Sequence, residues 1–219
     1  MDLLDFARGP ALQVGLVVFA FGVAWRLAAL LLLPRLRDRT KAKEGAPPAY
    51  IASAREIARR MWPQQEFAEA TRFSTINGYI FHVGLAIIMF GGTPHILFFR
   101  DLLGISWPGL PTNIINGVSV ITMLSLLAAL ARRMTDPVLR LISTANDYIS
   151  WAVTFLPVAT GLLAISHLWL RYETLLALHL LSVALFLVWF PFGKLMHAFL
   201  VFISRGTIGV HLAHRGAQL

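Results

Sequence analysis

Five long stretches of the chain are nearly free of charge, and polar residues collect between them. The stretches run about 11–34, 76–99, 113–132, 147–170 and 174–203. Each is close to the roughly 20 apolar residues that a helix needs to cross a bilayer core. Residues 35–75 break the pattern. "GAPPA" (45–49) interrupts any helix. "YIASAREIARRMW" (50–62) reads as a short basic amphipathic helix with Ile51, Ala54, Ile57 and Met61 on one side, suited to lying on anionic headgroups. The pattern predicts an all-α integral membrane bundle: one domain of five transmembrane helices, with a basic loop and interfacial helix over 35–75. No internal repeat or low-complexity tract is present.

Composition sharpens this picture. Hydrophobic residues make up 57% of the chain and charged residues 14%, against about a quarter charged in soluble domains. Without a single cysteine, the chain by itself can form no disulfide, thiolate metal site or iron–sulfur cluster. The net charge of +8 follows topology and is not read as a nucleic-acid signal. Cations gather in the first connection (Arg35, Arg37, Arg39, Lys41, Lys43, Arg55, Arg59, Arg60), in the third (Arg132, Arg133, Arg140) and in the tail (Arg205, Arg215). The other two connections hold only Arg100 and Arg171. The positive-inside rule then places the N-terminus outside and the C-terminus in the cytoplasm of a multi-pass inner (cytoplasmic) membrane protein. "MDLLDFARGP" lacks a basic n-region and does not read as a cleaved signal peptide. No nucleophile–base motif, phosphate loop or nucleotide fingerprint is present.

The candidate chemistry lies in the histidines. His211 and His214 fall in the polar tail and read as solvated. His82, His95, His167, His179 and His197 lie in or beside apolar runs, where ionisable side chains are costly and face the bundle interior. His179 and His197 are 18 residues apart. On one regular helix they would share a face, separated by about 27 Å of rise. His82 and His95 lie early and late in the antiparallel second helix, which sets His82 level with His197 and His95 level with His179. Two histidine pairs at two depths are what bis-histidine ligation of haem b needs. In a regular helix His82 and His95 would point apart; "FGGTPH" (90–95), with Gly91, Gly92 and Pro94, supplies an irregularity that could re-aim His95. Gly84 and Gly161 could make room for a macrocycle or simply let helices pack closely. Lys194 could pair with an acidic group of the cofactor or snorkel to the interface.

"FHVG" (81–84), "PHILFF" (94–99) and "PFGKLMHAFLVFISRG" (191–206) resemble the cytochrome b (gamma) subunit of respiratory nitrate reductase. They are closer still to its relatives in sulfite-reductase-linked and heterodisulfide-reductase-like membrane complexes. The resemblance implies two b haems, one held by His82 and His197 near the cytoplasm and one by His95 and His179 near the outer face. It departs from the nitrate reductase branch at Gly92, where that branch has its second histidine; here His95 takes the role.

The reading that follows is an electron-transfer subunit of a quinone-linked oxidoreductase complex. It would connect the quinone or quinol pool with a cytoplasmic iron–sulfur subunit docked on the basic loops by charge complementarity. His167, Arg100 and Tyr172 are candidates for a quinone site on the outer side, with Asp101, Trp107 and Glu173 nearby. The alternatives are a proton channel or transporter using histidine relays, and a membrane anchor with one haem or none.

Overall fold

The computed structural model describes residues 2–34, 40–166 and 170–217. Every regular element among them is helical. In chain order these are α1 (Leu3–Phe6), a π-helical turn over Ala7–Ala11, α2 (Leu12–Leu32), α3 (Ala49–Arg59), α4 (Ala68–Gly91), α5 (Thr93–Leu103), α6 (Thr112–Thr135), α7 (Pro137–Ile142), α8 (Ala145–Ser166), α9 (Tyr172–Trp189) and α10 (His197–Arg215). Six stretches are long and apolar enough to cross a bilayer: Leu3–Leu32, Gln65–Gly91, Thr112–Thr135, Ala145–Ser166, Tyr172–Trp189 and Lys194–Arg215. Their outward faces are apolar, as lipid contact requires; Phe21 is 69% exposed and Leu32 81%.

Two of the expected helices are divided. The run at 76–99 is α4 and α5, separated by Gly92 in an extended conformation, with Pro94 in the first turn of α5. Proline suits that position because a helix's first N–H groups have no internal partner. The run at 174–203 is not one helix. α9 stops at Trp189, a turn carries Pro191 and Gly193, a 3-10 turn covers Lys194–Met196, and α10 starts at His197. A shared face for His179 and His197 on one regular helix is therefore corrected: they sit on different helices. Proline removes a backbone donor and so favours the break; the apolar flanks of Pro191 hide it in a hydropathy pattern.

Small residues set the packing. Gly15 of α2 lies against the Ala184 backbone, and Gly22 against Pro191. Gly84 faces Thr122 of α6 so closely that a methyl group would collide with the hydroxyl. It lets α4 and α6 approach closely. Polar side chains reinforce that contact: Asn77 Nδ2 donates to the Ser125 carbonyl (3.0 Å), and Ser125 Oγ donates to Asn77 Oδ1 (2.7 Å). α9 packs on α2 and α8, and α6 on α8. The histidine-bearing pairs, α4–α5 and α9–α10, make no extensive packing contact with each other.

The basic segment is more than an interfacial helix. α3 packs along α10, with Ala52, Ser53 and Glu56 against Gly206 and Gly209. A Cβ at Gly209 would stand 2.6 Å from the Ala52 carbonyl. The expected apolar side is packed only in part: Ile57 reaches Gly206, Ile51 and Met61 remain exposed, and the buried residues are Ala52 and Glu56. His211 and His214 fall within α10 rather than a loose tail. The His214 carbonyl accepts from the Lys43 N–H (2.9 Å), and its imidazole bonds the Thr40 carbonyl (3.0 Å).

Glu56 accepts from both Arg59 (2.9 Å) and Arg60. The Arg59 hydrogen bond, reinforced by Arg60 against the opposing effect of burial, lowers its pKa to about 2 from the ordinary 4.5. A depressed folded-state pKa stabilises above the unfolded value and is lost as pH falls through the folded one. Amide protection of α3 and α10 is therefore expected to hold above pH 4.5 and to decline as pH falls toward 2. In Glu56→Gln protection should be weaker at neutral pH and should lack that decline; hydrogen exchange across the two helices measures both.

Candidate functional site

The four histidines form two pairs. The His82 and His197 ring centres are 5.9 Å apart with planes at 89°, and those of His95 and His179 are 6.2 Å apart at 38°. α4 supplies His82, α5 His95, α9 His179 and α10 His197. The breaks after α4 and α9 therefore give each imidazole its own helix, which accounts for the agreement with the expected pairs despite the lost helical periodicity.

Each imidazole is held through Nδ1 by a backbone carbonyl: His82 by Gly78 (2.7 Å), His95 by Ile88 (2.9 Å), His179 by Pro157 (3.1 Å) and His197 by Lys194 (2.8 Å). A carbonyl oxygen only accepts, so Nδ1 carries the hydrogen. Nε2 is then the nitrogen left to act as a ligand. Metal-bound histidines are held this way, with the second nitrogen donating to a carbonyl or carboxylate.

Local backbone chemistry provides these carbonyls. The Ile88 carbonyl also accepts from the Gly92 N–H (3.1 Å), and the carbonyls after it in α4 lie in the last turn, where helical partners run out. Ile88 accepts from His95, Phe90 from the Trp107 indole (2.6 Å) and Gly91 from the Leu110 N–H (2.8 Å). Gly92 has no side chain to obstruct His95; a Cβ there would lie 3.2 Å from its Nδ1. Gly161 does the same for His179, whose imidazole would stand 3.3 Å from an added Cβ. Thr160 and Ser182 bond each other beside it (3.0 Å).

Lys194 acts differently from a free cation. Its Nζ pairs with Asp147 (2.6 Å), its N–H donates to Asn146 (3.0 Å), and its carbonyl holds His197. Asp147 is buried and also pairs with Arg133 (3.1 Å). Asp147 and Asn146 thus pin the turn that delivers His197 to the start of α8. Sequence reasoning missed both, although Thr144 and Asp147 form a recognisable capping pair, with the Thr144 N–H donating to the carboxylate (2.9 Å).

The candidate quinone residues lie on separate elements, Arg100 in α5 and Tyr172 at the start of α9. Arg100 is exposed and paired with Asp101 (3.0 Å). Tyr172 opens α9 and is half-exposed, next to an Arg171–Glu173 pair. His167 lies outside the described residues.

Fit to a cofactor can be judged from the donor set. No group of three or more His, Asp or Glu side chains gathers as a metal site among the described residues. A metal between two imidazoles therefore needs further ligands, which a macrocycle supplies in its plane. With metal–imidazole bonds of about 2 Å and about 1 Å from nitrogen to ring centre, ligating rings stand on the order of 6 Å apart. Both pairs match that spacing, and the loosely packed interval between α4–α5 and α9–α10 is where a flat group would enter.

A protein of Nitratidesulfovibrio vulgaris (strain Hildenborough), described only as "Protein", is 29% identical to this chain over 219 residues, covering 95% of this chain and 92% of that one. No family model matches the chain, and no solved structure matches it.

Asp147→Asn keeps the shape and the Thr144 contact but removes the charge facing Lys194 and Arg133. It should lower stability by about 2 kcal/mol, as for hydrogen bonds to charged groups with partly exposed partners. A thermal melt in detergent reads this; an unchanged midpoint would deny the pinning role.

Proposed function

We propose that this protein is a dihaem cytochrome b subunit that carries electrons between membrane quinone and a cytoplasmic iron–sulfur partner. The observation supporting this most directly is the matched treatment of four imidazoles. All are paired at metal-ligand spacing, with Nδ1 committed to a carbonyl and Nε2 left to act as a ligand. His82 with His197 would hold one haem b and His95 with His179 the other. When bound, such groups supply one-electron redox chemistry. The chain's part is to fix ligand tautomer, spacing and an apolar setting.

The charge distribution supports an orientation with five crossings, N-terminus outside and C-terminus cytoplasmic. α10 is apolar enough to span, yet it packs along basic α3 and is tied to Lys43 and Thr40 in the same connection. It therefore belongs on the side where α2 ends and α4 begins. That side carries Lys41, Lys43, Arg55, Arg59, Arg60, Arg132, Arg133, Arg140, Arg205 and Arg215, a cationic surface suited to an acidic redox partner. Quinol oxidation belongs to the opposite side, near Arg100 and Tyr172, where two protons would be released for each pair of electrons passed on.

Purified protein should show a b-type alpha band on reduction and two haems per chain in a pyridine haemochrome assay. His197→Ala should remove one haem, and Gly161→Val, by pushing His179 off the Pro157 carbonyl, should remove the other. A chain devoid of haem would overturn the reading. One haem in the unaltered protein would restrict it to a single pair.

A further inference from the structure

The stripe along which α2 meets α9 ends in a charge. Gly15 lies on Ala184, Phe19 packs edge-on against Phe190 (5.1 Å), and Gly22 sits on Pro191. One turn beyond Gly22 the stripe continues at Arg26, where α9 has ended and the chain turns toward α10. Arg26 is within an apolar helix, six residues before its end at Leu32, roughly 9 Å of rise inside. A cation at such depth is costly and normally faces a counter-charge or a polar cavity. Among the described residues no ion pair or hydrogen bond engages the Arg26 guanidinium. Arg26 borders an open surface cleft of about 710 Å³ that is also lined by Asn146, Phe192, Lys194, His197 and Leu200.

The cleft has a preference of sign. Lys194 is already neutralised by Asp147, which Arg133 also pairs. The Asn146 side-chain oxygen accepts from the Lys194 N–H and from Ser150, leaving its amide N–H groups as donors. The remaining character is cationic and donating at one end and apolar along the wall formed by Phe192 and Leu200. This suits a flat apolar group carrying an acid at its edge, seated over His197.

We infer that Arg26 is the counter-ion for a propionate carboxylate of the tetrapyrrole held by His82 and His197, with the Asn146 amide as a second donor. The inference rests on the haem reading of that pair and adds to it a residue from the first membrane helix. A guanidinium meets a carboxylate through two parallel hydrogen bonds, which fixes the rotation of the ring about its iron axis as well as balancing charge. The same cation favours the reduced state of the group, because reduction adds an electron nearby.

The test is a potentiometric titration of the full chain, followed optically, for the unaltered protein, Arg26→Gln and Arg26→Lys. Arg26→Gln should shift one of the two haem components to lower potential and leave the other in place; Arg26→Lys should return it most of the way. If Arg26→Gln loses one haem altogether, its retention in Arg26→Lys supports charge pairing, whereas loss in both variants overturns it in favour of packing. Two haems with unchanged potentials in Arg26→Gln overturn the inference while leaving the haem reading intact. So does a phospholipid that co-purifies with the unaltered chain in native mass spectrometry and leaves with Arg26→Gln at constant potentials. An absence of haem from the unaltered protein overturns both.

Discussion

An imidazole surrounded by hydrocarbon has two nitrogens and no water to satisfy them, and that constraint organises this bundle. The backbone of a helix offers few spare acceptors, because its carbonyls are already bonded along the axis. Spare acceptors arise where a helix stops or where a histidine can reach back one turn. Near the end of α4 the Ile88 carbonyl receives His95 on its second lone pair, beside the Gly92 N–H. The 3-10 turn before α10 exposes the Lys194 carbonyl to His197. His82 reaches the Gly78 carbonyl within its own helix, and Gly161 lets His179 reach Pro157 on the neighbouring one. Helix breaks thus serve His95 and His197, while His82 and His179 use carbonyls inside helices.

Much of this was legible in the sequence, for reasons that can be named. Apolar run length is a direct readout of bilayer thickness, so α2, α6 and α8 fall within a few residues of the expected runs, whereas the runs at 76–99 and 174–203 are each divided between two helices. The histidine pairs were found because depth in an antiparallel bundle is fixed by order along the chain, whatever the local helical phase. Phase itself was not legible at Pro191, since the residues around it are as apolar as any helix interior. The α3–α10 contact was hidden for the opposite reason: its buried face is Ala52 and Glu56 against Gly206 and Gly209, and small or charged residues leave no hydrophobic signature. Lys194 and Gly84 stand out in the sequence, but one-dimensional reading could not supply their partners, Asp147 and Thr122.

The electrostatics divide by depth. Around the α9–α10 turn, Asp147 sits between Lys194 and Arg133, and Asn146 secures the backbone, so that end of the bundle is braced by charge. Around His179 the bracing is neutral, from Thr160, Ser182 and the Pro157 carbonyl. Charged bracing is tolerable near an aqueous boundary and costly deeper in lipid. Asp147, paired with Arg133, lies at the end of the bundle that carries the basic connections.

The origin of each anchoring carbonyl also bears on how the protein matures. His82 and His197 are held from within four residues of their own positions, so each ring is oriented as soon as its segment coils. His179 takes its acceptor from a residue 22 positions earlier on another helix and has no orientation until α8 and α9 have docked. During biogenesis the His82 and His197 rings are therefore oriented by local folding alone, and the His179 ring only after lateral assembly of α8 and α9.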